Sequence, residues 1–211
     1  MLMRTLLSFC LLVITGPVMS IEEPKYKVIK SSESFELRNY EPMIIAETFV
    51  SGDMNEATRA GFKIIADYIF GNNLSSTNAS ESIEMTVPVT LKQNSEKIDM
   101  TAPVSLEKSN NLETNNNSWR VHFVMPNQYT LDTLPTPNNK AVLLRQIPSQ
   151  NIAVIGFSGF TGKEKTAAKT AELTEWLTMQ NINATGAPQL ARYNPPWSLP
   201  FLRRNEILIP Y

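Results

Sequence analysis

Apolar and polar positions alternate along several short stretches of the chain, which is the period of a strand with one buried face. Residues 26–30, 35–39, 43–50, 119–125, 142–147, 152–157 and 206–209 are rich in β-branched or aromatic side chains and are expected as strands. Two longer stretches take the helical period instead. After Asp53 the apolar positions are Ala57, Gly61, Ile64, Ile65, Tyr68 and Ile69, and Gly71-Asn72 suits a C-terminal cap. After Thr161 they are Ala167, Ala171, Leu173, Trp176 and Leu177, ending near Asn181. Asp53 with Glu56, and Thr161 with Glu164, have the spacing of a capping box. Residues 75–82 and 109–118 are Asn/Ser-rich loops.

The chain repeats at two scales. Residues 45–52 resemble residues 152–159: both are apolar strands that end in Ser-Gly and lead into a helix start. Ile45 to Ile152 is a step of 107 residues, and Asp53 to Thr161 a step of 108. Two β-rich halves, each with one crossing helix, packed as a pseudo-twofold pair, are the simplest expectation. The second repeat is shorter. Residues 83–91 and 98–106 both read acid, Met-Thr-small-Pro-Val, hydroxyl, Leu, with a step of 15. They are expected as a β-hairpin with its loop at 92–97. Pro88 and Pro103 lack an N–H and must sit at an edge or bulge, which favours a distorted barrel over a regular sandwich.

Composition narrows the function. The chain has 211 residues with a formal net charge of −1, and a basic surface matching phosphate is not expected, so no nucleic-acid partner is. It is 42% hydrophobic and 18% charged, enough apolar content for a real core. With one Cys and one His it can build neither a disulfide framework nor a zinc finger, and a thiol nucleophile is a poor prospect. Arg4, the apolar run 5–15, the Gly16-Pro17 break and Val18-Met19-Ser20 follow the layout of a secretory signal over residues 1–20. The run is too short to span a bilayer. Export to the periplasm or beyond follows, with residues 21–211 forming one domain because no linker divides them. Asn-x-Ser/Thr sites stand at Asn73, Asn78, Asn116 and Asn183.

Six stretches carry a resemblance. They are Tyr26-x-Val28-Ile29; Phe35-Glu36-Leu37-Arg38-x-Tyr40; the two Met-Thr-x-Pro-Val runs; Trp119-x-Val121-x-Phe123-Val124-Met125-Pro126; and the tail from Ala191-Arg192-Tyr193-Asn194-Pro195-Pro196-Trp197 through Arg204-Asn205-Glu206. Together they resemble the SOUL haem-binding protein family over nearly the whole of residues 24–211. The resemblance implies an α+β fold, a distorted antiparallel β-barrel with two flanking helices built from two related halves. It implies non-covalent binding of haem or a related porphyrin, and no family-wide enzymatic activity.

A haem presents a large apolar face and two carboxylates, so its site needs a greasy platform with cations at the edge. The first helix offers Phe62, Ile65, Ala66 and Ile69 with Arg59 and Lys63; the tail offers Tyr193, Trp197 and Phe201 with Arg203 and Arg204. A shallow groove between helix and tail is the expected site, although core packing competes for the apolar helix positions and strand anchoring for the tail aromatics. His122 is the one imidazole available to iron. It sits on the strand face opposite Trp119, Val121, Phe123 and Met125, with Arg120 and Val124. A lone His has no metal-site spacing, so a structural role is the stronger reading and axial ligation the alternative. Met85, Met100 and Met125 read as core fillers before iron ligands. Glu84 and Asp99, equivalent in the short repeat, read as solvent-facing before a catalytic pair. No Gly-x-Ser-x-Gly turn or glycine-rich phosphate loop accompanies them. The leading expectation is a non-enzymatic tetrapyrrole binder. Its rivals are a module for another apolar ligand or a protein, and a carboxylate-dependent enzyme acting on a pigment.

Overall fold

The computed structural model describes residues 22–94 and 118–211. The expected signal segment and the second run of the short repeat, residues 98–106 with Asp99 and Met100, lie outside the described residues. The strands are β1 (Tyr26–Ser32), β2 (Phe35–Tyr40), β3 (Met43–Ser51), β4 (Asn73–Leu74), β5 (Val89–Asn94), β6 (Ser118–Val124), β7 (Thr136–Pro137), β8 (Leu143–Ile147), β9 (Gln150–Phe157), β10 (Gln189–Arg192) and β11 (Asn205–Pro210). The helices are α1 (Met54–Ile69) and α2 (Lys163–Met179). Nine strands make one antiparallel sheet in the order β1-β2-β9-β11-β10-β5-β6-β3-β8, and β4 pairs with β7. The sheet curls into a distorted barrel with α+β architecture, as the sequence led one to expect.

The strand register carries the pseudo-twofold. Thr48 lies opposite Val121, Val121 opposite Leu91, Leu91 opposite Leu190, Leu190 opposite Ile207 and Ile207 opposite Ile155. The strand order along this row is symmetric about the Leu91–Leu190 pair, β3-β6-β5 on one side answering β9-β11-β10 on the other. Its termini, Thr48 and Ile155, are 107 residues apart in the chain, the step of the long repeat. The relation continues outward: Arg145 lies opposite Ile45 and Arg38 opposite Ile152, again 107 apart. Each outer strand is exchanged. β2 leads into β3 but pairs with β9, while β8 leads into β9 but pairs with β3.

Each helix covers its own half. Asp53 caps α1, its Oδ1 accepting from Asn55 N–H (2.7 Å) and Glu56 N–H (2.9 Å) while Glu56 Oε2 accepts from Asp53 N–H (3.2 Å), the expected capping box. Both helices end alike. Asn72 N–H donates to Asp67 C=O and Gly71 N–H to Tyr68 C=O; Ile182 N–H donates to Leu177 C=O and Asn181 N–H to Thr178 C=O. The left-handed residue of this motif is Gly71 (φ 116°) in one case and Asn181 (φ 56°) in the other. Ile65, Tyr68 and Ile69 of α1 pack on Ala46, Leu91, Val121 and Phe123. Leu173, Trp176 and Leu177 of α2 pack on Ala153, Ile155, Ile207 and Ile209. Phe35 stacks on Trp176 with centroids 5.0 Å apart.

Three expectations change. Thr161 does not cap α2. Gly162 is the N-cap with no side-chain bond, which makes Lys165, not Glu164, the third helical residue. The Lys165 ammonium donates to Ser158 C=O (2.7 Å) instead. The first run of the short repeat is not one long strand: it is irregular until Pro88, and only Val89–Asn94 pairs. The expected hairpin fails as well, because Val89–Leu91 has β6 on one side and β10 on the other, and no ladder edge remains for a further strand. β10, the central partner of β5, was not foreseen; four residues reading Gln-Leu-Ala-Arg show no alternation to detect.

Candidate functional site

The sheet face turned away from α2 holds a buried ionic cluster. By the strand period, Glu206 and Leu208 point opposite to Ile207 and Ile209, and Arg38 and Tyr40 opposite to Leu37. Arg38 donates from Nη1 and Nη2 to the two oxygens of Glu206, at 3.0 and 3.1 Å, a forked pair. Arg38 Nε donates to Glu36 (2.6 Å), and Nη1 also reaches the Tyr40 hydroxyl (3.0 Å). The Tyr193 hydroxyl donates to Glu206 Oε2 (2.5 Å), and Arg204 reaches Glu206 Oε1 from Nε (3.1 Å) and Nη2 (3.0 Å). Tyr26 and Tyr193 present ring faces to Arg38 and Arg204, at 4.3 and 3.8 Å. Burial alone would raise the Glu206 carboxyl, but the hydrogen bonds and charge of Arg38, with Tyr193 and Arg204, more than offset it, and its pKa falls below the ordinary value. Burial pushes the Tyr40 hydroxyl up to about 12 against the pull of Arg38.

The cluster gathers three of the sequence signatures, those around Tyr26, around Arg38 and in the tail. Tyr26, Glu36, Arg38, Tyr40, Tyr193, Arg204 and Glu206 come from stretches at opposite ends of the chain and meet here. A cleft of about 560 Å³ opens beside them, between Tyr26, Glu33, Phe157, Leu202, Arg203 and Arg204. In the other half, Arg145, the pseudo-twofold mate of Arg38, clasps Glu47 with Nε at 3.0 Å and Nη2 at 3.1 Å. Arg120 adds a third contact at 3.6 Å. Sequence reasoning missed Arg38 and Arg145 as a pair, yet Leu37-Arg38 and Leu144-Arg145 recur at the same 107-residue step.

The predicted site residues fall into different environments. Arg59, Phe62 and Lys63 stand on the exposed face of α1. Phe62 is 39% exposed and its ring packs against Phe123 at 5.5 Å. Ile65, Ala66 and Ile69 do not share that face: they are buried against the sheet, because the helix turns its apolar stripe inward. Tyr193 is also buried, held on the far sheet face by Glu206. Trp197 and Phe201 project from the tail, 84% and 70% exposed. Arg203 and Arg204 line the cleft, Arg204 being tied to Glu206 and to Glu23 (3.0 Å). The root of the tail does meet α1: Arg192 Nη1 donates to Thr58 Oγ1 at 3.2 Å.

His122 is 6% exposed and lies in the sheet between Glu47 and Thr90 of the adjoining strands. Burial, with Arg120 and Arg145 adding repulsion, pushes its pKa down to about 3, so it is neutral. A neutral imidazole is the form that binds iron, but a side chain so enclosed offers no face to a porphyrin plane. Met125 is buried in the core under α1, and Met85 is half-buried. Glu84 is exposed.

The SOUL haem-binding protein family model matches residues 21–97 and 91–210. The chain belongs to this family. Among curated proteins none matches the sequence significantly. Solved structures share the fold at low identity. The C-terminal domain of EcmrR has a TM-score of 0.57 at 14% identity, covering 88% of this chain and 96% of that one. A hydrolase from Listeria innocua has a TM-score of 0.52 at 10% identity, covering 86% and 93%. EcmrR in a DNA complex has a TM-score of 0.55 at 13% identity, covering 83% and 56%. At such identities these likenesses speak for the fold alone. The SOUL family is a family of binding proteins, and a haem-type small molecule is what it names.

Proposed function

We propose that this protein binds haem or a related tetrapyrrole non-covalently, as an exported carrier without catalytic activity, on the surface formed by the exposed face of α1 and the adjoining tail. The observation that carries the reading is the trio Arg59, Phe62 and Lys63. On a helix, positions i, i+3 and i+4 share one face. An exposed aromatic ring is therefore bracketed by two cations about one turn apart. That suits a planar apolar ligand with two carboxylates on one edge. Neither cation belongs to an ion pair among the described residues. The Arg192–Thr58 bond ties the tail root to this helix, and Trp197 and Phe201 supply further ring surface. Apolar contact at about 25 cal/mol per Å² can hold such a ligand without an iron–protein bond. Export rests on the layout of residues 1–20.

Hemin titration followed by the Soret band tests it. Wild type should give a saturable one-to-one shift. Arg59→Ala with Lys63→Ala should weaken binding about tenfold or more through the lost charge-assisted bonds. Trp197→Ala should weaken it with the fold intact by circular dichroism. His122→Ala should leave the Soret position unchanged. Loss of the shift in His122→Ala with binding intact in the α1 variant would overturn the assignment. Turnover of the pigment would overturn the non-enzymatic reading, and an N-terminus still at Met1 on exported material would overturn signal cleavage.

A further inference from the structure

We infer that the tip of the C-terminal tail, together with the loop after β9, is an interfacial anchor for an anionic lipid surface. Trp197, Leu199, Phe201 and Leu202 on the tail and Phe160 on the loop are all more than half exposed. The two segments form one body. Gly159 N–H donates to Pro200 C=O (2.9 Å), the Asn205 amide to Gly159 C=O (3.0 Å), and Arg203 lies 5.0 Å over the Phe160 ring.

The backbone at the tip is prepared for a low-dielectric medium. Polar main-chain groups enter lipid only when they are bonded internally. Between residues 195 and 200, the carbonyls of Pro195, Pro196, Ser198, Leu199 and Pro200 each accept a bond from within the protein. Pro195, Pro196 and Pro200 have no N–H to leave unpaired. The Arg203 guanidinium supplies two of those bonds, Nε to Ser198 C=O (2.9 Å) and Nη2 to Pro196 C=O (2.5 Å). The N–H groups of Trp197, Leu199 and Phe201 and the Trp197 carbonyl have no such bond among the described residues, so the tip rests at the headgroup boundary rather than deeper, and the prolines hold it in one shape, so little conformational freedom is lost there.

Charge selects the surface. Residues 157–163 and 193–204 contain Lys163, Arg203 and Arg204 and no acidic residue, in a chain of net charge −1. Lys165 adjoins them through Ser158. Lys163, Lys165 and Arg203 enter none of the ion pairs among the described residues. Glu164 and Glu206 are the acids next to them in the chain, and Arg204 is paired with Glu206 and Glu23, which leaves Lys163, Lys165 and Arg203 as the rim's unpaired cations among the described residues. A Trp/Phe/Leu tip rimmed by lysine and arginine is the composition that rests at a headgroup boundary. No helix among the described residues is long and apolar enough to cross a membrane, so the contact is peripheral.

Vesicle flotation of the full, ligand-free chain tests this, with phosphatidylcholine vesicles made with and without phosphatidylglycerol. Trp197 is far more exposed than Trp176, so tryptophan emission should shift to the blue on the anionic vesicles. Phe160→Ser with Leu199→Ser should lower partition about tenfold or more. Lys163→Gln with Lys165→Gln should remove the preference for phosphatidylglycerol. Lys163 and Lys165 stand on α2, outside the proposed tetrapyrrole surface, so lipid-free hemin titration should be unchanged in that pair, which separates failure of this inference from failure of that one. The apolar run at residues 5–15 is common to every variant. Equal flotation of wild type and Phe160→Ser/Leu199→Ser, or no emission shift in wild type, would overturn the inference.

Discussion

Arg38 and Glu206 lie 168 residues apart in the chain and share two hydrogen bonds of 3.0 and 3.1 Å in the interior. With Tyr193 and Arg204 on the same carboxylate, they tie the second strand to the last one across β9. Removing Arg38 leaves the buried Glu206 carboxylate only Arg204 and Tyr193, and removing the Glu206 charge leaves Arg38 only Glu36 and Tyr40, so each buried charge loses its forked partner. Glu206→Gln and Arg38→Ala should therefore each cost about 3–5 kcal/mol in chemical denaturation. Arg38→Lys should recover little of this, because an ammonium cannot reproduce the fork.

Arg145, the mate of Arg38, makes a forked pair of its own in the other half, with Glu47 on the adjacent strand, and a smaller effect is expected. It is 46% exposed as a side chain, and Glu47 keeps Arg120 when Arg145 is lost. Arg145→Ala should cost about 1 kcal/mol. A loss equal to that of Arg38→Ala would show that the two halves weigh these mates alike.

His122 makes stability depend on pH. Its folded pKa, about 3, lies below the ordinary 6.5, so the unfolded chain binds the proton more readily. Stability from this group is full above pH 6.5 and declines as pH falls towards 3, by up to about 1.4 kcal/mol per pH unit. Glu206 has the same sign: its carboxyl sits below the ordinary 4.5, so its contribution is present above that value and lost as pH falls further. Urea midpoints against pH should slope between pH 6.5 and 4.5 in wild type. In His122→Asn that slope should flatten, with the steeper loss below pH 4.5 retained.

Gly61 sets how closely α1 approaches the sheet. A Cβ there would stand 2.5 Å from Val121 Cγ2 and 2.6 Å from Val121 Cβ, on a β-branched side chain in the core. Gly61→Ala improves helix propensity by up to ~1 kcal/mol, yet the overlap should dominate and destabilise the protein by about 1–3 kcal/mol. A raised melting temperature in Gly61→Ala would contradict this.

Much of the fold was legible because its signals are local. Alternation located β1, β2, β3, β6, β8, β9 and β11, and the Asp53 box and the Gly71 stop located α1. Where a local signal was weak, reading failed. Gly162 displaced Thr161 as the cap of α2, and β10 is too short to show a period. The near-identical runs at 83–91 and 98–106 invited pairing with each other, yet both edges of Val89–Leu91 go to strands distant in sequence. For the candidate site, chemical type was legible but facing was not. Ile65 and Phe62 both read as apolar helix positions, and only packing against Val121 and Phe123 turns one inward and leaves the other at the surface.

The repeat, and with it the twofold plan, is written in the residues alone, because two segments with the same pattern of polar and apolar residues favour the same local structure. The sequence also shows which residues could serve a haem-type ligand, since side-chain chemistry does not depend on the fold. How the halves are joined emerges from the folded sheet. The exchange of β2 and β8 between halves brings Arg38 against Glu206 and Arg145 against Glu47. Strand pairing across such distances is set by which faces can be buried together over the whole sheet, and no short window of sequence contains that balance.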